Sequence, residues 1–212
     1  MVVVADAPIA AILTRAPSAG GKRRLFAALG RPPDPALLEA LLLDTLDGAD
    51  VPGIARVVAV EPADACDDVR AVVPAGVQVI AQVRGTLGDR MAAVMREMFD
   101  SGARAVALLG SDLPDLQPAA VAGAFEILAR EPGTVVLGPA ADGGYYLIAA
   151  TAVPDLFDGM EWGSDQVLAQ TLAAAEQRGL RVRLLAPMRD VDTPGDLLAV
   201  TAQRTSTWRH TH

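Results

Sequence analysis

The stretch Leu108–Leu116, LLGSDLPDL, decides the fold and the place of the site. An apolar run that begins at Ala105 leads into it, and the two leucines are followed by a glycine, a serine, Asp112 and, two residues later, a proline. A short apolar run closed by such residues is typical of a buried strand in a parallel sheet. In open α/β sheets, ligands bind outside the carboxyl ends of the strands. We therefore predict that Asp112 leaves the carboxyl end of this strand and faces a ligand.

Strands and helices alternate along the rest of the chain. The predicted strands are 9–13, 54–60, 77–80, 105–109, 134–137 and 180–185. The predicted helices are 34–46, 86–99, 118–130, 164–178 and a last one that ends near residue 203, and 64–72 is predicted as a short helix or a turn. The segment GPAADGGYYLIAA interrupts this alternation, and its part Tyr145–Ala149 predicts a further, antiparallel strand. This order is the signature of an α/β fold with a mostly parallel, mixed sheet flanked by helices. We expect a single domain over residues 1–204 and a disordered polar tail over 205–212.

Composition narrows the classes of function. The chain has 212 residues, 51% of them hydrophobic, which predicts a folded globule. Its net charge of −8 argues against a general binder of nucleic acid or of anionic membranes. No run approaches the length of a membrane span, and no basic leader precedes the first strand. We expect a cytoplasmic protein whose single cysteine, Cys66, forms no internal disulfide.

A basic loop, TRAPSAGGKRRL (residues 14–25), follows the first predicted strand. It contains four cations and no acid, although acids outnumber cations 26 to 18 in the whole chain. Gly20 and Gly21 let the backbone turn its N–H groups toward an anion, and a loop at this place in an α/β sheet commonly binds phosphate. It is neither a Walker motif nor a dinucleotide fingerprint, because the required glycine spacing is missing. The alternative is a solvated basic turn.

Acidic residues follow several predicted strands. Asp112 and Asp192 come from the ends of two different strands, Asp190 lies beside the second, and Asp142 precedes two glycines. Phosphates together with a few carboxylates indicate Mg²⁺, with Mn²⁺ as a substitute, because such ions bind one or two carboxylates and complete their shell with phosphate oxygens and water. We predict Asp112 and Asp192 as metal ligands, with Asp190 as the alternative to Asp192. Each acid alone is also explained as a helix N-cap.

Two other site types fit poorly. The run Asp190–Thr193 resembles the nucleophile motif of haloacid-dehalogenase phosphatases, but that motif follows the first strand and Pro194 replaces its final threonine. A serine hydrolase fits less well still, because Ser111 lacks the required frame and the only two histidines lie in the tail.

Six motifs in order resemble one bacterial family: TRAPSAGGKRRL, QVRGTLGDRM, LLGSDLPDL, LGPAADGGYYLI, WGSDQVL and DVDTPGDL. The chain is identified by them as a member of the rSAM/selenodomain-associated transferase 1 family, which has the glycosyltransferase-A fold of nucleotide-diphospho-sugar transferases. The guanylyltransferase that activates 2-phospho-lactate is a more distant relative with a similar basic loop.

The resemblance implies roles for particular residues. Lys22, Arg24 and Leu25 match the family's basic loop, where Arg15 stands for a lysine and Arg23 for a threonine. Asp112 resembles the metal aspartate of the fold, and Asp192 resembles a second metal ligand. The loop with Gly143, Gly144 and Tyr145 resembles the substrate-side loop. Tyr145 or Tyr146 would stack on the substrate there, and the alternative for both is ordinary strand packing. We expect the catalytic residues to be Lys22, Arg24, Asp112 and Asp142, and the nucleotide or phosphate contacts to come from Arg15, Gly20, Gly21, Lys22, Arg23, Arg24, Gly85 and Ser111.

Two reactions are compatible with these residues. We favour transfer of a nucleoside monophosphate from a nucleoside triphosphate to a small phosphorylated acceptor, because the dense basic loop suits a pyrophosphate leaving group. The alternative is glycosyl transfer from a nucleotide sugar, with Asp142 as the base. A nucleotide-binding module without activity is the third possibility. The expected partners are thus a nucleotide and a small acceptor, without nucleic acid or membrane, in a monomer or homodimer.

Overall fold

The computed structural model describes residues 6–200. A single seven-stranded sheet contains β1 (Pro8–Arg15), β2 (Ala55–Glu61), β3 (Gln78–Ala81), β4 (Ala105–Leu109), β5 (Thr134–Pro139), β6 (Tyr145–Ala150) and β7 (Arg181–Leu184). The helices are α1 (Arg23–Ala28), α2 (Pro35–Gly48), α3 (Cys66–Val72), α4 (Leu87–Asp100), α5 (Pro118–Arg130), α6 (Val167–Gln177) and a last helical segment, α7, over 194–200.

The strand order is β3-β2-β1-β4-β6-β5-β7. All neighbours pair in parallel except β6, which runs antiparallel to both β4 and β5. Because β6 reverses between two strands of the same direction, β1 to β5 and β7 all end at one edge of the sheet. The mixed, mostly parallel α/β fold expected from the sequence is confirmed, including the antiparallel strand.

Apolar runs place the centre of the sheet inside the molecule. Every residue of β4 is buried, and Ile9, Ala10, Ala11 and Ile12 of β1 are completely buried. Both faces of a sheet with helices on each side are removed from water, so its strands are continuous apolar runs rather than alternating ones. The aromatic content of only 4% leaves this core to alanine, valine and leucine.

Local signals fix most helix ends where they were expected. Asp34 caps α2 by accepting a hydrogen bond from Ala36 N at 3.0 Å, and Thr86 and Asp89 form a reciprocal capping box at the start of α4. α5 spans its predicted range, and it has proline at its first position. Capping groups and prolines act within one helical turn, which is why sequence alone identifies them.

The basic loop and the start of α6 differ from the prediction. The first two residues of that loop belong to β1. The second half of the basic loop is not a loop, because residues from Arg23 onward form α1, which buries Leu25 and Phe26. The helix predicted from residue 164 begins at Val167, after a turn. Among the described residues, no helix is both long and apolar enough to cross a membrane. The predicted tail, 205–212, lies outside them, and the single domain over 1–204 stays a prediction.

Candidate active site

Three carboxylates meet at the carboxyl edge of the sheet. Asp112 follows β4, and Asp190 and Asp192 follow β7; one oxygen from each of them lies within 4.8 Å of the other two. The side chains are partly buried, with 18% of Asp112 and 32% of Asp192 exposed. Burial and the neighbouring charges of Asp112, Asp142 and Asp192 raise the pKa of Asp190 to about 6. The three carboxylates of this acid cluster repel one another unless cations lie close to them.

Lys22 supplies one of those cations. Its Nζ forms an ion pair with Asp112 and another with Asp192 Oδ1 at 2.5 Å. Burial alone would lower the pKa of this lysine, but the two carboxylates outweigh it and raise the pKa to about 12. The basic loop and the acid cluster, predicted separately, are therefore parts of one site.

Backbone hydrogen bonds hold the acid cluster together. Val191 N donates to the carbonyl of Asp112 at 3.2 Å, which joins the segment after β7 to the segment after β4. Leu113 N donates to Thr45 Oγ1 at 3.0 Å, so a buried hydroxyl on α2 fixes the turn that follows Asp112. Thr45 was not predicted as a site residue. The signal in the sequence was a polar residue among the leucines of α2.

The capping explanation of Asp192 is not what the structure shows. Asp196 receives the hydrogen bonds at the start of α7, from Thr193 N at 2.8 Å and from Asp192 N at 3.3 Å. The carboxylate of Asp192 is thereby left for Lys22. Similarly, Asp112 pairs with Lys22 rather than with the first turn of a helix.

The other cations of the basic loop form no ion pair with the acid cluster. Arg15 pairs with Glu61 at 3.3 Å and donates to the carbonyl of Ala19. Arg23 and Arg24 are exposed on α1 and form no ion pair with any residue that the structure describes. Gly20 adopts a φ of 71° and Lys22 a φ of 47°, so the chain makes the tight turn that the two glycines predicted. Phosphate contacts by these residues remain a prediction.

The loop between β5 and β6 brings a fourth acid near the cluster. The Oδ1 of Asp142 accepts a hydrogen bond from Gly144 N at 2.9 Å. Gly143 has a φ of +90°, and a Cβ there would lie 2.1 Å from the carbonyl oxygen of Asp165. This close approach is to the protein's own chain, so the glycine has a structural reason, and a contact between Gly143 and substrate stays a prediction.

The two tyrosines after this loop have different surroundings. Tyr146 is 4% exposed, and its hydroxyl donates to the carbonyl of Ala186, as expected for ordinary strand packing. Tyr145 meets Trp162 edge to face, with ring centroids 6.4 Å apart. Both tyrosines border one cavity.

That cavity, of about 270 Å³, adjoins the acid cluster. Asp112, Asp142 and Asp190 line one part of it, and much of the remainder is apolar. Gly144 and Tyr145, predicted to bind substrate, are among its lining residues. Its apolar residues were not predicted as site residues, because their runs are indistinguishable from core in the sequence.

A second cavity, of about 470 Å³, opens beside the ends of β2 and β3. Gly85 lies in it, together with Glu61, Gln82 and Arg90. Arg90 donates to Glu61 Oε2 at 2.5 Å and to Gln82 Oε1 at 3.2 Å, and Gln82 Nε2 donates to the carbonyls of Thr14 and Ala59. Sequence reasoning found only Gly85 here. Ser111 is half-buried next to Asp112 and outside both cavities.

Comparison with known proteins places the chain in a family. Residues 45–164 match the family model described as an uncharacterized protein conserved in bacteria, DUF2064. The chain belongs to this family. A search of curated proteins finds none that matches.

Solved structures share the fold over nearly the whole chain. A protein from Desulfovibrio desulfuricans G20, named as a candidate nucleotide-diphospho-sugar transferase, is 32% identical, with a TM-score of 0.80 over 91% of this chain and 85% of the other. CMP:2-keto-3-deoxy-manno-octonic acid synthetase complexed with CTP is 17% identical, with a TM-score of 0.62 and coverages of 95% and 100%. The 4-diphosphocytidyl-2C-methyl-D-erythritol synthase of Anaerococcus prevotii DSM 20548 is 12% identical, with a TM-score of 0.60 and coverages of 93% and 96%.

These likenesses confirm the fold of the nucleotide-diphospho-sugar transferases. Membership in the narrower rSAM-associated group, and the relation to 2-phospho-lactate guanylyltransferase, stay predictions.

Proposed function

We propose that this protein is a divalent-metal-dependent transferase that moves a nucleoside monophosphate from a nucleoside triphosphate to a small acceptor, with release of pyrophosphate. The observation that carries the proposal is the acid cluster of Asp112, Asp190 and Asp192 with Lys22 between two of its carboxylates. Two proteins of the same fold support it by their names. One is a synthetase named for a CMP-linked product and in complex with CTP, and the other is a synthase named for a diphosphocytidyl product.

The donor set of the cluster fits Mg²⁺. Carboxylate oxygens are the ligands this ion prefers, and the three oxygens lie close enough together to share one ion. Asp112, Asp190 and Asp192 would hold it. When bound, the ion would supply positive charge that offsets the charge on phosphate oxygens.

Other residues of the chain would bind the nucleotide and the acceptor. Lys22 keeps a fixed positive charge beside the position of the phosphates, where negative charge builds up on the leaving pyrophosphate. Arg23 and Arg24, exposed on the neighbouring helix, attract the polyphosphate as it approaches. The second cavity, with Gly85 at its edge, is large enough for the nucleoside. Asp142 lies where it can accept a proton from the acceptor.

Glycosyl transfer is the second candidate function. The name of the 32% identical relative favours it, because nucleotide-diphospho-sugar transferases take their donor from a nucleotide sugar. Asp142, at the edge of the cavity and separate from the pair bound to Lys22, provides the carboxylate base that an inverting transfer needs. The fold, the acid cluster and the basic loop serve both reactions.

Isothermal calorimetry with a panel of nucleotides tests the proposal. The four nucleoside triphosphates are compared with UDP- and GDP-sugars, each with and without Mg²⁺, on the wild type, on Asp112→Asn and on Asp115→Asn. Asp115 is a matched control, since it lies in the same loop but outside the acid cluster. We expect Mg²⁺-dependent binding of one triphosphate to the wild type and to Asp115→Asn, and a loss of at least about tenfold for Asp112→Asn.

Other outcomes would change the assignment. Preference for a nucleotide sugar would replace nucleotidyl transfer with glycosyl transfer. Binding that responds neither to Mg²⁺ nor to Asp112→Asn would leave a nucleotide-binding module and would refute the proposed metal site.

A further inference from the structure

We propose that the 270 Å³ cavity beside the acid cluster binds an uncharged, hydroxyl-bearing acceptor with an apolar face, and not the phosphorylated acceptor that the sequence led us to expect. The inference rests on the proposed function and names the class of acceptor that it uses.

The cavity has room for about one ring. Its volume is about 270 Å³. This lies just below the usual range for small-molecule sites. A monosaccharide or a single carbocyclic or aromatic ring fits such a volume, and the second cavity, of about 470 Å³, offers more room for a nucleotide.

The walls of the cavity are mainly apolar. Side chains from β1, β4, α4, β6 and the segment before α6 contribute to them: Leu13, Leu108, Met91, Leu87, Ile148 and Trp162. The indole of Trp162 stands edge to face with the ring of Tyr145 at an interplanar angle of 80°. Such walls favour the apolar face of a ring, and they penalise a charged group that loses its water.

The charges around the cavity all have one sign. Asp112, Asp142 and Asp190 line it, and no lysine or arginine of residues 6–200 does so. Lys22 is turned to Asp112 and Asp192 and is not among the lining residues. A phosphate monoester carries a charge between about −1.5 and −2 at neutral pH. With Asp192, four carboxylates surround the site. Lys22 and a divalent ion would offset three of these charges, so one negative charge remains to repel an anionic acceptor.

The carboxylate of Asp142 gives a hydroxyl its partner. Its Oδ1 accepts a hydrogen bond from Gly144 N, and Oδ2 has no partner among the described residues. With a triphosphate as donor, the acceptor's hydroxyl oxygen forms a bond to the α-phosphorus. The bond from that phosphorus to the α–β bridging oxygen breaks, and pyrophosphate leaves with the electron pair. The hydroxyl proton passes to Asp142 Oδ2.

Tryptophan fluorescence tests this inference without any turnover. The chain has two tryptophans, Trp162 at the cavity and Trp208 outside the described residues. In a Trp208→Phe background, emission reports on Trp162 alone. The probes are cyclohexanol and cyclohexyl phosphate, which share a ring and differ in charge. We expect a saturable change with cyclohexanol and an affinity for cyclohexyl phosphate about tenfold lower or worse.

Two variants test whether the probes bind in this cavity. Asp142→Asn keeps an oxygen for Gly144 N but removes a negative charge. We expect it to reduce the ratio of the affinities for cyclohexanol and cyclohexyl phosphate at least threefold, or by about 0.65 kcal/mol. Asp155→Asn removes an exposed acid that pairs with Arg178 away from the cavity, and we expect it to change nothing. Far-UV circular dichroism establishes that both variants fold.

The opposite results overturn the inference. Equal or tighter binding of cyclohexyl phosphate, or no saturable response to either probe, excludes a neutral acceptor in this cavity. Calorimetry of the triphosphates on the same protein separates the two proposals. If nucleotide binds with Mg²⁺ while the probes fail, only the acceptor assignment falls; if nucleotide does not bind, the proposed function falls.

Discussion

At the scale of single residues, Lys22 is the most constrained side chain of the site. Its backbone lies in the left-handed region at φ 47° and ψ 46°, which is uncommon for a residue other than glycine. Its side chain is only 16% exposed and lies between two carboxylates. Because the pKa is raised to about 12, the ammonium group stays charged at any physiological pH. Lys22 therefore places a permanent positive charge at the carboxylates that we propose as ligands of the divalent metal ion.

Replacing this lysine should have opposite effects on metal binding and on activity. In Lys22→Met we expect the affinity for Mn²⁺ in the absence of nucleotide to rise about tenfold, because a unit charge near the partly exposed cluster is worth on the order of 1–4 kcal/mol. We expect kcat/KM to fall about 10²–10³-fold, as when a group that stabilises transition-state charge is removed. Competition with a fluorescent chelator measures the first effect, and pyrophosphate release measures the second.

The neighbouring cation provides the control for this variant. Arg23→Met removes an exposed charge of the same sign one residue away, and we expect Mn²⁺ affinity to stay within about twofold of the wild type. Unchanged Mn²⁺ affinity in Lys22→Met would contradict the idea that the lysine and the metal compete for the same carboxylates.

At the scale of elements, the β5–β6 connection shows how one glycine positions a site loop. Ala140 N donates to the carbonyl of Gly144 at 3.0 Å, and Leu168 N donates to the carbonyl of Gly143 at 2.9 Å. The loop is therefore closed on itself and tied to α6. Gly143 allows this because its missing side chain leaves room for the backbone of residue 165. The backbone that carries Asp142 is thereby fixed by hydrogen bonds and by close packing.

A pair of glycine variants tests this packing. In Gly143→Ala the new Cβ would lie 2.1 Å from the carbonyl oxygen of Asp165 at a φ of +90°, and we expect a loss of about 3 kcal/mol in the free energy of unfolding. Gly123→Ala is the matched control, since Gly123 lies within α5 with open space around it. There we expect a gain of about 0.5–1 kcal/mol. Urea unfolding followed by circular dichroism compares them, and a similar stability for both variants would contradict the close approach at Gly143.

At the scale of the whole molecule, the site joins distant parts of the chain. Lys22 follows β1, Asp112 follows β4 and Asp192 follows β7, so the site brings together residues up to 170 positions apart. A ligand that binds only this assembled arrangement stabilises the entire fold by mass action. At a hundredfold excess over its Kd, the gain is about 2.7 kcal/mol.

Thermal unfolding should therefore report metal removal. With Mg²⁺ and the triphosphate selected by calorimetry, we expect the Tm to rise by about 5–10 °C, since 1 kcal/mol shifts a domain of this size by about 2–4 °C. Excess chelator should abolish the shift. Asp155→Asn should respond as the wild type does, and Asp112→Asn should not respond. A nucleotide-induced shift that survives the chelator would contradict a metal-dependent site.

Much of the fold and part of the site could be predicted from sequence because the deciding signals are local. The apolar run before Asp112 identified a buried strand, Pro118 the start of a helix, and the glycines of the basic loop a tight turn. Asp112 and Asp192 were predicted to lie together because both follow predicted strands, and strands of one direction end at the same edge. α1 was not predicted, because six residues are too few to show a helical period in the sequence. Only the structure shows that Leu25 and Phe26 are its buried residues.

What the sequence determined by itself is the order of the strands and helices along the chain, the sign of the charge in each loop and the acids available to a metal. Only the tertiary structure decided that Lys22 pairs with Asp112 and Asp192, that Asp190 joins them, and that Trp162 borders an apolar cavity without cations. The physical reason is range. Propensity, capping and turn geometry act over a few residues, whereas the charges and walls of this site come from segments that meet only when the sheet has formed.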